Sequence, residues 1–392
     1  LQTLSNPKIP QKPIWMVTHW FPKKRKPSQG IFILEHLKAF VGCGVPIEVI
    51  SIQFGKGIWP SAQAQQIQYS GIEVTEITLT GISPKLWYAA PWLLMPMYKR
   101  YLKNATAHLP SPLCVHSHVA LPAGYFGDFL AEQHMVPHVI TEHWSKTQKH
   151  LKGEIFGFSS QRTRSLYQRA SAITTVSEYL KESMFEVMDS PQTPIYITPN
   201  VIRHKGIEPV VKNQVPLKVL MVANWKNNPS DPKRPELALE ALSNFSTESG
   251  REVLVTMAGG GDGQLKLKSL AKKLKIACDF TGFLDKSQLF ELMHDQDLLV
   301  HASTTETFSL VIAEALVNGL PVVASEVGAI PEVLSSAQWG YLVENTVQGF
   351  CEALHSWNNK PLDPLRIYQE NKSRFSDSTV VNSFQEVYSF LD

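Results

Sequence analysis

DLLVHASTTETFSLVIAEALVNGLPVVASEVGAIPE, residues 297–332, carries a complete strand, loop, helix and strand in one stretch. Leu298 to Ala302 is a short apolar run of the buried-strand type, and Thr304 to Thr307 is a polar break. Phe308 to Val317 has helical spacing, which stops at Gly319, Leu320 and Pro321. A helix that opens straight after a parallel strand points its first unpaired N–H groups, and the positive end of its dipole, at the carboxyl edge of the sheet. Anions are held there. Glu306 stands in the loop before the helix and Glu314 eight residues on. This spacing places Glu314 roughly two turns inside and leaves ~10 Å between the two carboxylates. A carboxylate at each end with bare amides between suits a ligand with hydroxyls at both ends and phosphates in the middle, the shape of a nucleotide sugar. Two glutamates so spaced also occur on any solvated helix face, and the spacing alone does not separate the readings.

The surroundings of the pair do more. ETFSLVIAEAL, NGLPVVAS and GAIPEVL resemble the signature of the GT-B glycosyltransferases of family 4, retaining enzymes also called glycosyl transferases group 1. The resemblance implies an α/β fold of two Rossmann-like, doubly wound parallel-sheet domains facing each other over a cleft. It implies that Glu306 contacts the donor sugar and that Glu314 binds the ribose hydroxyls. The amides of Thr307, Phe308, Ser309 and Leu310 would meet the diphosphate.

Composition sets the frame for this. With 392 residues and 43% apolar content, the chain exceeds what one core usually serves, so two domains are expected. Cys43, Cys114, Cys278 and Cys351 have no metal-ligand spacing, which fits a reduced compartment and not a disulfide frame. No run of eighteen apolar residues occurs, and the N-terminus lacks a charged-then-apolar signal pattern, so a soluble cytoplasmic protein is expected. The net charge of +2 hides an asymmetry: residues 1–200 carry an excess of Lys and Arg, the remainder an excess of Asp and Glu. The split favours a boundary near residue 200 and makes the first half the one to meet an anionic surface or acceptor.

In the first half, Ile14 to Val17 reads as a strand, Thr18 to Gln29 as a loop containing PKKRKP, and Gly30 opens an amphipathic helix closed at Gly42. The basic run is either a solvated loop or, by the resemblance, part of a glycine-containing loop whose backbone closes over the diphosphate, with Gly30 the matching residue. Residues 45–53, 72–79, 113–118, 137–141, 172–177 and 195–200 read as strands. Residues 84–103 crowd Trp87, Tyr88, Trp92, Met95, Met97, Tyr98 and Tyr101 against Lys85, Lys99, Arg100 and Lys103. A buried helix face explains the aromatics; an interfacial segment explains them together with the basic end. His116 and His118 share a strand face, but without a third ligand at a metal spacing they read as ordinary hydrogen-bonded histidines. His143 falls just past a strand's carboxyl end in TEHWS, which resembles the family segment whose His faces the donor sugar.

Residues 202–216 read as a linker, after which strands and helices alternate again as a doubly wound sheet requires. MAGGGDG, residues 257–263, lacks both GxGxxG and GxxxxGK[ST]. It reads as a tight turn near the ligand, with direct binding at Gly260 the alternative. Lys233 and Arg234 stand just before a helix, where a fixed cation can neutralise a departing diphosphate. The family carries a Lys at this helix start, matched by Lys233. It also carries an Arg shortly after the preceding strand, a position that falls on or near Asn224; Lys226 or Arg234 would replace that cation. By the resemblance, the nucleotide base lies near Phe283 and Leu284. Asp295 and Asp297 form a DxD triplet, read here as structural because it immediately precedes a core strand. The segment after Leu365, with Phe375 and FQEVYSFL, reads as a final helix, which in the family crosses back to the first domain.

The expected domains are therefore 1–200 on the acceptor side, 201–375 for the nucleotide sugar, and 376–392 as the returning helix. The expected enzyme is a hexosyltransferase-like glycosyltransferase with Glu306, His143 and Lys233 in catalysis, no metal and no further cofactor. Its donor would be a UDP-, GDP- or ADP-sugar and its acceptor a glycan or lipid-linked glycan of bacterial surface-polysaccharide synthesis. Peripheral contact with the anionic inner face of the cytoplasmic membrane is expected, and no nucleic acid. A same-fold sugar-nucleotide epimerase and a non-catalytic nucleotide-sugar binder are the alternatives.

Overall fold

A computed structural model of the chain describes residues 10–22, 29–188, 192–204, 206–209 and 215–389. Two compact units form, Leu1–Val201 with Asp377–Asp392, and Ile202–Ser376.

The sheet of the first unit contains β1 (Ile14–Thr18), β2 (Ile47–Phe54), β3 (Ser61–Tyr69), β4 (Ile72–Thr80), β5 (Cys114–His118), β6 (His138–Glu142), β7 (Ala172–Thr175) and β8 (Ile195–Ile197). Their order is β3-β4-β2-β1-β5-β6-β7-β8, parallel except for the β3–β4 pair. β1 and β5 are buried along their whole length, as strands covered on both faces must be. The polar run of β3 shows no strand pattern, because it is an exposed edge held only by β4. Its one sequence cue is Ser70-Gly71, both at positive φ in a two-residue hairpin turn.

Gly30 stands before the helix Ile31–Gly42 at φ 65°, where a Cβ would lie 1.8 Å from the Trp20 carbonyl oxygen, so only glycine fits. Lys23 to Lys26 of the basic run lie outside the described residues. Residues 84–106 form two helices, Pro84–Ala89 and Pro91–Thr106, and a buried face accounts for part of their aromatics. Trp87, Met95 and Tyr98 are core, whereas Leu86, Leu93, Met97 and Tyr101 are exposed.

The second unit has β9 (Leu217–Val222), β10 (Val253–Ala258), β11 (Ala277–Gly282), β12 (Leu298–His301), β13 (Val322–Ser325) and β14 (Gly340–Val343), in the order β11-β10-β9-β12-β13-β14. All pairs are parallel. Strand order reverses between β9 and β12, and the crevice outside their carboxyl ends is where such a sheet binds ligands.

The segment after Leu365 is not one helix. Pro364–Asn371 stays in the second unit, Phe375 sits in the connection with its ring 5.4 Å from that of Phe308, and Asp377–Ser389 joins the first unit. There Val380, Val381, Phe384, Val387 and Tyr388 share a core with Leu37 and Phe40.

Candidate functional site

Three side chains meet at the switch between β9 and β12. Lys233 lies in the loop after β9 and is tied by a backbone bridge to Ser303, just past β12. Its ammonium contacts the Glu306 carboxylate. His301, the last residue of β12, places Nε2 2.8 Å from Glu306 Oε1 and 3.3 Å from Lys233 Nζ. Burial alone would push the Glu306 carboxyl up, but the Lys233 charge and the His301 hydrogen bond bring it down to about 2. Burial and the Lys233 charge together lower His301 against the pull of Glu306. The loop bearing Glu306 is braced from β13's side: Ala329 N–H donates to the Glu306 carbonyl at 3.0 Å. A Cβ on Gly328 would stand 2.2 Å from that same oxygen.

The helix after Glu306 starts later than its spacing suggests. Phe308 is buried against Phe375, Ser309 takes a left-handed conformation at φ 66°, and the helix runs Leu310–Val317. Thr307 and Phe308 therefore precede the helix. The N–H groups without an intrahelical partner at its start belong to Leu310, Val311 and Ile312. Positive φ at a non-glycine residue is strained by about 1–3 kcal/mol and clusters at functional sites. The Ser309 hydroxyl is buried at this helix start and has no hydrogen-bond partner among the described residues. Glu314 now lies about one turn inside instead of two. It is buried, with Lys286 Nζ at 3.8 Å, which brings it beside the loop that carries exposed Phe283 and half-buried Leu284.

The other candidates around β9 and β10 are arranged less directly. Gly260 sits against the Phe283 ring, and its carbonyl accepts from Trp225 N–H at 2.6 Å. Exposed Asn224 follows β9. Lys226 Nζ lies 3.4 Å from Asp231, and the Arg234 guanidinium donates to the Asp231 carbonyl at 2.7 Å. Lys226, Lys233 and Arg234 line one cavity of about 320 Å³ together with Lys266, but only Lys233 reaches Glu306. Asp295 and Asp297 bond Lys218 at the amino end of β9, the opposite edge of the sheet.

Gly30 and His143 belong to the first unit. His143 is no lone loop histidine: it is buried, its Nε2 is 3.2 Å from His118 Nδ1, and its ring is 4.6 Å from that of Phe32 on the helix that Gly30 precedes. Sequence reasoning also missed His301 and Gly328. The cue for His301 was its place at the end of the LLVH run, directly before the Glu306 loop.

Residues 207–374 match the family model described as Glycosyl transferases group 1, and residues 29–205 that of Glycosyltransferase Family 4. An uncharacterized 41.2 kDa protein in the cps region of Klebsiella pneumoniae is 35% identical over 28% of this chain and 31% of its own length. Glycogen synthase of Mycobacterium tuberculosis is 27% identical over 74% and 71%. The lipopolysaccharide glucosyltransferase WaaG of Escherichia coli is 29% identical over 39% and 41%. Some of these relatives are thus matched over less than half their length. Two solved structures share the fold: sucrose-phosphate synthase from Thermosynechococcus elongatus, with TM-score 0.71, 18% identity and coverage of 97% and 98%, and HepE from Anabaena in complex with UDP and glucose, with 0.67, 14%, 96% and 99%. The two family models together cover residues 29–205 and 207–374, and the chain belongs to the GT-B glycosyltransferases of family 4, the glycosyl transferases group 1.

Proposed function

We propose that the protein moves a sugar from a UDP-, GDP- or ADP-sugar to a glycan or lipid-linked acceptor, with retention at the anomeric carbon, in the synthesis of a bacterial surface polysaccharide. The observation that carries this is the meeting of Lys233, His301 and Glu306 at the β9–β12 switch, next to a helix N-terminus. Glycosidic cleavage leaves charge on the departing diphosphate, and catalysis requires groups that hold this charge better than they hold the intact donor. Lys233, the Ser309 hydroxyl and the Leu310 to Ile312 amides supply a cation and donors at the carboxyl edge. The Glu306 carboxylate, ionised across the physiological range, faces the oxocarbenium-like carbon with negative potential. Glu314 takes the ribose hydroxyls. Lys226 or Arg234 turns from the Asp231 loop to the diphosphate as the second cation. The acceptor attacks from the face the diphosphate leaves, so no enzymic nucleophile is invoked.

In this reading the second unit takes the donor and the first the acceptor. No divalent ion bridges the diphosphate; the remoteness of Asp295 and Asp297 from the switch supports this. WaaG, a lipopolysaccharide glucosyltransferase, and HepE, bound to UDP and glucose, support the donor class and the setting. No helix among the described residues is long and apolar enough to cross a membrane. Exposed Leu93 and Met97, on the helix that also carries Lys99 and Arg100, support peripheral contact with anionic lipid instead.

The test is a thermal-shift screen against UDP-, GDP- and ADP-sugars followed by product analysis. One nucleotide at 100 times its Kd is expected to stabilise by about 2.7 kcal/mol, and transfer to a glycan primer should give the donor's anomer. Stabilisation without turnover would mark a binding protein, and conversion of the sugar without an acceptor an epimerase.

A further inference from the structure

Among the buried histidines of the first unit, His36, His116, His118 and His143 pack ring to ring, and they divide sharply by their partners. His116 on β5 has both ring nitrogens engaged, Nδ1 with the Tyr388 hydroxyl at 2.6 Å and Nε2 with Thr141 Oγ1 at 2.5 Å. The HxH pair is therefore not a ligand pair, because one member has no lone pair to give. His118, the other member, is joined instead by His36 from the helix Ile31–Gly42 and by His143 from the loop after β6. These three can each present one ring nitrogen so that all three lie within 4.8 Å of one another. Sequence spacing hides such a set, since its members come from three separate elements.

The His36 tautomer is set for ligation. His36 Nε2 donates to the Pro199 carbonyl at 3.2 Å, which leaves Nδ1 as a buried lone pair with no partner among the described residues. A backbone carbonyl in that role is the usual outer-shell support of a metal-binding histidine. His118 Nε2 is likewise buried and without a partner among the described residues. Leaving two such nitrogens unsatisfied in an apolar surround is costly. Burial holds His36 at about 4 and His118 and His143 well below their ordinary value, with the neighbouring histidines adding to the shift in the latter two. Phe32 and Phe384 wall the cluster, at 4.6 Å from His143 and 5.6 Å from His36.

We propose that His36, His118 and His143 form a binding site for one divalent transition-metal ion of the zinc class, with the fourth position open to water or a hydroxyl ligand. An all-imidazole set selects zinc, cobalt, nickel or copper over magnesium, calcium or manganese, which prefer oxygen. Bonds of about 2.0–2.1 Å in tetrahedral geometry bring the nitrogens closer than they now stand, a contraction within reach of small ring rotations. The site belongs wholly to the first unit and does not depend on the transferase reading.

Tag-free protein, stripped with chelator and desalted, is titrated with Co²⁺ and then Zn²⁺ in the absence of any sugar nucleotide. One equivalent should bind, with a tetrahedral Co²⁺ d–d band that Zn²⁺ displaces. His36→Gln and His118→Gln should each weaken binding by roughly tenfold or more, while His355→Ala leaves it unchanged. That control matters because Glu248, Cys351 and His355 make a second three-ligand cluster on the other unit. X-ray absorption at the zinc edge of the unaltered protein removes any dependence on variant folding. A first shell of nitrogen and oxygen only is expected. No stoichiometric binding, a sulfur in the first shell, or loss of the ion in His355→Ala but not in the histidine variants of the first unit would overturn the assignment.

Discussion

The Lys233 ammonium meets the Glu306 carboxylate across 73 positions of sequence, with the carboxylate the more deeply buried of the two. The pair ties the loop after β9 to the loop after β12. Its two charges cancel until an anion arrives to share the lysine, so the donor diphosphate would complete the site as well as enter it.

Division of labour between the two glutamates should appear in kinetics. Glu306→Gln is expected to lower kcat by 100-fold or more, on the order of 3 kcal/mol of transition-state stabilisation. Glu314→Ala should mainly raise the donor KM. Equal losses in both parameters for both variants would remove the assignment of one carboxylate to the sugar and the other to the ribose.

Acid stability carries the second expectation. The Glu306 carboxyl is held at about 2 in the folded chain, below its ordinary value of 4.5. A depressed carboxyl contributes stability that is fully present above 4.5 and is lost as pH falls toward 2. The shift corresponds to roughly 3 kcal/mol. Urea unfolding between pH 5 and pH 2.5 should therefore show a weaker pH dependence for Glu306→Gln than for the unaltered protein; identical slopes would mean that the ion pair does not hold in solution.

Gly328→Ala tests the brace behind Glu306. The added methyl would press on the Glu306 carbonyl, which Ala329 N–H already holds. A fall in kcat with a melting temperature changed by only a few degrees is the expected result. Unchanged turnover would show that the loop relaxes without moving the carboxylate.

Membrane contact is checked by sedimentation with liposomes of graded anionic content at low and physiological salt. Each Lys or Arg near the surface should contribute about 1 kcal/mol. Replacing Lys23, Lys24, Arg25, Lys99 and Arg100 with Ser should abolish co-sedimentation. No co-sedimentation at any composition would leave Leu93 and Met97 as incidental surface, and binding that ignores both salt and those substitutions would remove the basic residues from the contact.

Much of this was legible in the chain because it depends on local pattern. The apolar runs of β1, β9 and β12, and the polar break before Leu310, announce parallel strands and the loops that carry Glu306 and Lys233. What stayed hidden depends on distant partners. His301 looks like any strand-end residue until Lys233 arrives beside it. Phe308 has helical spacing, but its ring is drawn to Phe375, and Ser309 turns left-handed before the helix can start. β3 lacks strand character because an edge has one neighbour and a wet face. The histidine cluster assembles from three elements whose order along the chain says nothing of their proximity.

The helix Asp377–Ser389 has a consequence for how the polypeptide comes into being. Leading domains ordinarily fold while the rest is still being synthesised. Here Leu37 and Phe40 wait for Phe384 and Val387, and the His116 ring waits for the Tyr388 hydroxyl. The leading unit therefore leaves the ribosome with one flank uncovered and closes only after the trailing unit has already been made. A stop codon a few positions before residue 377 would spare the sheet of the second unit and leave the other permanently ajar.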